Sequence, residues 1–169
     1  MKFIYNGVLL QEVPNEISLG ITLLGCPRHC KGCHSEKYWD IYVDRTLGKE
    51  FSFFNVANIL HKQGKDFKEA TCICFFGGDW NLSQFYETVS KLKNTYVFGN
   101  KKFCWYTGMS VEDTFNLPEI TDLFDYIKCG EYKEECGDLT SLTTNQSFWK
   151  KQWVNQTHLF RRDIDAMDS

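Results

Sequence analysis

A mainly apolar run that empties into a knot of cysteines limits the folds open to this chain. Ile17 to Gly25 reads ISLGITLLG, with Pro14-Asn15 before it and Cys26-Pro27 after it, the pattern of a buried strand running into a loop. The loop, CPRHCKGCHS, puts Cys26, Cys30 and Cys33 within eight positions and follows them at once with His34. Ligand sites in parallel sheets gather at strand carboxyl ends, so these thiols stand where such a site belongs. Eight cysteines are many for a chain that reads as intracellular, because a reducing cytosol gives disulfides little chance to persist. Metal or packing must account for them.

The rest of the chain alternates strand and helix signals. Ser52 caps a helix with Phe53, Val56, Ala57, Ile59 and Leu60 at helical intervals and Gly64 as its stop. ATCICFF, Ala70 to Phe76, is a short β-prone run that ends in Gly77-Gly78-Asp79. LSQFYETVSKLKN predicts a second helix, capped by Ser83, with Phe85, Tyr86, Val89 and Leu92 on one face. KKFCWYTG predicts a third strand closed by Gly108, and Pro118 opens a short helix, PEITDLF, before a fourth strand, FDYIKCG. This order predicts an α/β fold of parallel βαβ units. With right-handed crossovers, the strands curl into a partial (β/α) barrel with helices outside, in a single domain over 1–169. The tail, WVNQTHLFRRDIDAMDS, has weak periodicity and reads as a frayed or docking segment.

Composition removes several function classes. Hydrophobic residues make up 43% and charged residues 24%, which suits a globular domain rather than a disordered or fibrous one. A net charge of -3 gives no field that attracts nucleic acid or an anionic membrane. No window nears 18 consecutive apolar residues, and Asn6, Gln11 and Glu12 stand where a signal peptide needs an apolar stretch, so a soluble cytoplasmic protein is expected.

Thiolates bind zinc, copper(I) and iron–sulfur clusters, and a Cys-x3-Cys-x2-Cys loop wraps a four-iron cube while leaving one iron open to a small ligand. Structural zinc is the competing reading, with His29, His34 or a distant cysteine completing a tetrahedron, although neighbours such as Cys33 and His34 rarely point inward together. Cys72 and Cys74 share one strand face and, with Cys104, read as core filler. Cys129 and Cys136 read as packing or surface residues, and Trp39, Trp105 and Trp149 as core. Gly77-Gly78-Asp79 alone is a turn. Lys128 reads as a solvated strand-end lysine, and Lys150-Lys151 and Arg161-Arg162 as a solvated face.

Taken together, CPRHCKGC resembles the cluster loop of the radical S-adenosylmethionine enzymes, and FFGGDW resembles the glycine-glycine-acid motif at the end of their next strand. GCPRHCKGCHS, WYTG at 105–108, DYIKCGEY at 125–132 and TTNQSFWK at 143–150 are similar to the activating proteins of the anaerobic ribonucleoside-triphosphate reductase, in order from Ser18 to Lys150. The resemblance implies that Cys26, Cys30 and Cys33 hold a 4Fe-4S cluster whose fourth iron is chelated by S-adenosylmethionine. An electron then yields a 5′-deoxyadenosyl radical, which takes hydrogen from a glycine on the large reductase subunit. That subunit and an electron donor such as flavodoxin are the implied partners, with no nucleic acid and no membrane. Gly32, Cys33 and His34 flank the implied cofactor. Gly77 and Gly78 let the backbone approach its methionine part, Asp79 accepts from its ammonium, and Tyr106 and Thr107 rim its ribose. Asp79 departs from the glutamate of many relatives, and Gly32 from the aromatic often found before the third cysteine, for which His34, Tyr38 or Trp39 would substitute. Lys128 stands within reach of the cofactor's carboxylate in this reading. A deazapurine-synthase-like enzyme acting on a free metabolite and a zinc-stapled binding module are the alternatives.

Overall fold

The structure, a computed structural model, describes residues 1–33, 35–39, 47–137, 141–154 and 157–162, with the backbone alone at 153–154 and 157–159. Among these residues, eight strands and six α-helices form. In chain order they are β1 (Lys2–Leu9), β2 (Ser18–Leu24), β3 (Lys49–Glu50), α1 (Phe53–Lys62), α2 (Lys65–Glu69), β4 (Cys72–Phe76), α3 (Leu82–Lys93), α4 (Tyr96–Gly99), β5 (Lys102–Tyr106), α5 (Val111–Phe115), α6 (Pro118–Thr121), β6 (Tyr126–Cys129), β7 (Ser147–Val154) and β8 (Thr157–Arg162).

All eight strands belong to one mixed sheet of order β3-β1-β2-β4-β5-β6-β7-β8. The centre, β2, β4, β5 and β6, is parallel, and these are the four strands that the periodicity predicts. Antiparallel strands flank it, β1 and β3 on one side and β7 and β8 on the other. Neither flank is legible in the local pattern. In β1 the register slips between Tyr5 and Gly7, where Gly7 has φ +92°, and this bulge breaks the in-out alternation that marks a strand. The tail is not a frayed segment over its described part: it forms the end of β7 and β8, which pair antiparallel from Val154 opposite Thr157 to Trp149 opposite Arg162.

Both faces of the central strands are covered, which is why β2 is buried along its whole length. On one face Leu19, Ile21, Ile73, Phe75, Phe103 and Trp105 pack against Val56 and Leu60 of α1 and Phe85, Val89 and Leu92 of α3. Ser52 caps α1 as expected, accepting from Asn55 N at 3.4 Å. The cap of α3 is Asn81 rather than Ser83, its side chain accepting from Gln84 N at 3.3 Å. Asn81 is the last non-helical residue before α3, and asparagine caps at least as well as serine.

On the other face Cys72, Cys74, Cys104, Tyr126 and Phe148 form a second buried cluster, and the loop between β1 and β2 crosses it. Val13 of that loop is fully buried. The Tyr106 hydroxyl donates to the Glu12 carbonyl, and Glu16 accepts from Tyr126 at 2.7 Å and pairs with Lys102. No helix among the described residues is long and apolar enough to cross a membrane.

Candidate functional site: a three-thiol cleft

The registers of the parallel strands bring Thr22, Phe76, Tyr106 and Lys128 into one row across their carboxyl ends. Above this row the loop after β2, the glycine turn after β4 and the ends of β5 and β6 enclose a cleft. Cys26, Cys30 and Cys33 all line it, together with Gly77, Asp79, Tyr106 and Thr107. Of the remaining sequence-predicted residues, Gly32, which is exposed, and Gly78, which is buried, do not line it, and His34 lies outside the described residues.

Left-handed backbone at His29 (φ +50°) and Gly32 (φ +74°) winds the cysteine loop tightly enough to turn its thiols to one side. Cys33 N donates to the Cys30 carbonyl at 3.1 Å, and Ser35 N donates to the Cys33 sulfur at 3.4 Å. Position 32 is glycine at φ +74°, a conformation that residues with a side chain rarely adopt, and a Cβ there would come 3.2 Å from the Glu134 side chain. Trp39 lines the cleft instead, stacked on His29 with centroids 4.8 Å apart and planes 8° apart. Tyr38 serves the loop differently, its carbonyl accepting from Gly25 N at 2.9 Å.

Burial pushes the Cys26 and Cys30 thiols above their ordinary values, and Glu131, whose carboxylate accepts from Cys30 Sγ at 3.6 Å, pushes Cys30 further. A metal therefore releases protons as it binds here. The other buried thiols behave as packing atoms. Cys72, Cys74 and Cys104 are fully buried and raised by that burial, and Cys129 is pushed up to about 11 by the same cause.

The glycine turn owes its glycines to the protein's own packing. Gly77 and Gly78 have φ +84° and +91°, and a Cβ would lie 2.8 Å from the Trp80 ring at the first and 2.6 Å from Phe85 at the second. Trp105 Nε1 holds the turn from below by donating to the Gly77 carbonyl at 2.9 Å. Asp79, with its side chain only 3% exposed, accepts on Oδ2 from Arg28 Nε at 3.1 Å, the other Arg28 fork at 3.0 Å and Thr107 Oγ1 at 3.0 Å. The carboxylate thus clips the cysteine loop to the ends of β4 and β5. Gly108 leaves the space through which Arg28 passes, since a Cβ there would come 2.5 Å from its Cδ.

Sequence reasoning missed Arg28, which sits inside the cysteine motif as an unremarked spacer. It also misread Lys128. This side chain is half-buried, lines the cleft and lies over the Tyr106 ring at 5.6 Å, and burial pulls its ammonium down to about 8.

Among the described residues, no three histidine, cysteine or acidic side chains converge as they would on a single metal ion. A cubane asks for a different arrangement, in which each thiolate meets a separate iron and the sulfurs stand apart around a shared hollow. Three thiols on one loop, opening into one cleft with amide donors at hand, fit that group. A family model described as a 4Fe-4S single cluster domain matches residues 17–152, and the chain belongs to this family. It is an iron–sulfur protein, and the matched span runs from the residue before β2 into β7. No curated protein and no solved structure matches the chain.

Proposed function

We propose that this protein is a radical S-adenosylmethionine enzyme that activates the large subunit of the anaerobic ribonucleotide reductase by making a glycyl radical on it. The observation that carries the reading is the meeting of three thiols from one loop with a buried carboxylate at the strand ends, inside a 4Fe-4S family. The bound cluster would pass one electron to the sulfonium, splitting a carbon–sulfur bond to leave methionine and a 5′-deoxyadenosyl radical that takes hydrogen from the partner's glycine.

The chain's own residues bind, orient and exclude water. Cys26, Cys30 and Cys33 would hold the cluster by three of its irons, leaving the fourth for the amine and carboxylate of S-adenosylmethionine. Asp79 would accept a hydrogen bond from an N–H of that same amine in exchange for Arg28, whose side chain is 33% exposed. Tyr106, Thr107 and Trp39 wall the cleft where a radical must be kept from bulk water. A curl of the sheet into a partial barrel, one functional unit over 1–169, a flavodoxin-type electron donor and a cytoplasmic setting go with this reading.

Anaerobic reconstitution tests it. The protein should take up about four irons, cleave S-adenosylmethionine when reduced, and give a glycyl-radical resonance when mixed with the large reductase subunit. Cys30→Ala should abolish cleavage. One equivalent of zinc with no visible absorbance would overturn the reading in favour of a zinc-stapled module. Cleavage without any radical on the subunit would point to a free metabolite as substrate.

A further inference from the structure

The cleft holds two cations, and the protein treats them differently. Arg28 is spent on Asp79. Lys31, on the outer side of the loop, is paired with Glu134 at 3.0 Å. Lys128 belongs to none of the ion pairs among the described residues, and its contact is the face of Tyr106. A half-buried ammonium without an ion-pair partner is costly and persists where an anion compensates it. Its place in the row after Tyr106 aims it into the cleft that Cys26, Cys30 and Cys33 line.

We infer that Lys128 is a built-in counter-charge for the thiolate-bound cluster and holds its reduction potential higher than the same loop would have without it. The physical basis is simple. Reduction adds one electron to the cluster from a low-potential donor, with no bond formed or broken, and a fixed positive charge at short range in a poorly solvated cleft favours the more negative state. Tyr106 supports the ammonium through its ring face. Glu131, whose carboxylate accepts from Cys30 Sγ at 3.6 Å on the exposed side, acts in the opposite direction. Lys128 is a tuning residue in this account, not a ligand. The inference rests on the cluster and is independent of the substrate.

The test is a redox titration, with dithionite as reductant, of anaerobically reconstituted protein without S-adenosylmethionine, followed by visible absorbance and electron resonance. Wild type, Lys128→Met, Lys128→Arg and the surface control Lys91→Met are compared at measured iron content. The midpoint of Lys128→Met should shift to more negative potential, while Lys128→Arg and Lys91→Met stay near wild type. A cluster retained by Lys128→Arg and lost by Lys128→Met also supports the inference, since charge is then what the cluster needs. An unchanged midpoint in Lys128→Met overturns it, as does cluster loss from both variants. An unchanged midpoint with weakened S-adenosylmethionine binding would reassign Lys128 to the ligand's carboxylate. If wild type itself gave no cubane signal, the cluster reading would fail instead.

Discussion

Single residues at the cleft do more than one job, and the glycine turn makes the point. Gly77 and Gly78 are glycines because left-handed backbone and the rings of Trp80 and Phe85 leave no alternative. The turn thereby carries Asp79 to the cleft. Phe85 is fully buried and stacked on Phe124 at 5.9 Å, so it cannot yield to an added methyl. Gly78→Ala should cost on the order of 3 kcal/mol, backbone strain plus overpacking. Gly7→Ala, at φ +92° with nothing within 4 Å of the added Cβ, should cost about 1–2 kcal/mol, the backbone part alone. Urea unfolding of the metal-free chain reads both, and equal losses would contradict the packing account. The Arg28–Asp79 clip, also invisible in the motif, follows from two side chains 51 positions apart.

At the level of strands, helices and the loops that join them, caps and buried polar ties carry the testable content. Asn81→Ala should destabilise by about 1 kcal/mol and Ser83→Ala by a few tenths, the reverse of what the serine cap predicts. Thermal unfolding of the two variants distinguishes them. The β1–β2 loop is held by Glu16, which is 8% exposed. Burial alone raises its pKa, yet hydrogen bonds from Lys102, Thr71 and Tyr126 and the Lys102 charge outweigh burial and hold it below the ordinary carboxylate range. A depressed native pKa contributes stability that is present above the unfolded value, about 4.3, and is lost as pH falls through the native one. Glu16→Gln should therefore flatten the acid limb of the stability curve below about pH 4.5. Denaturant midpoints from pH 7 to pH 3 check this, and an unchanged acid limb would exclude Glu16 as its source.

For the molecule as a whole, the parallel centre and its antiparallel flanks are interdependent. Phe148 of β7 is 1% exposed and sits beside Tyr106 and Tyr126 on the second sheet face, so a flank residue completes the layer beneath the cleft. Phe148→Ala should cost about 3–5 kcal/mol by opening a cavity there, read as a fall in Tm. Loading the cluster should raise Tm by mass action, and chelation under air-free conditions should reverse it. A Tm independent of iron would separate the cluster from the fold.

What could be read without coordinates is what near neighbours encode. The four parallel strands, α1 with its serine cap and the three-thiol loop at a strand's carboxyl end follow from period, caps and spacing within a dozen residues, and the core places of Cys72, Cys74 and Cys104 follow from alternation on two strands. β1 and β7 escaped because a bulge in one and mixed polarity in the other blur the period, and a strand's membership in a sheet is written in its partner. The clip from Arg28 to Asp79 and the aim of Lys128 into the cleft depend on which strand ends lie side by side. That adjacency arises from register and burial across the whole sheet, so residues distant in the chain meet there with no local sign that they will.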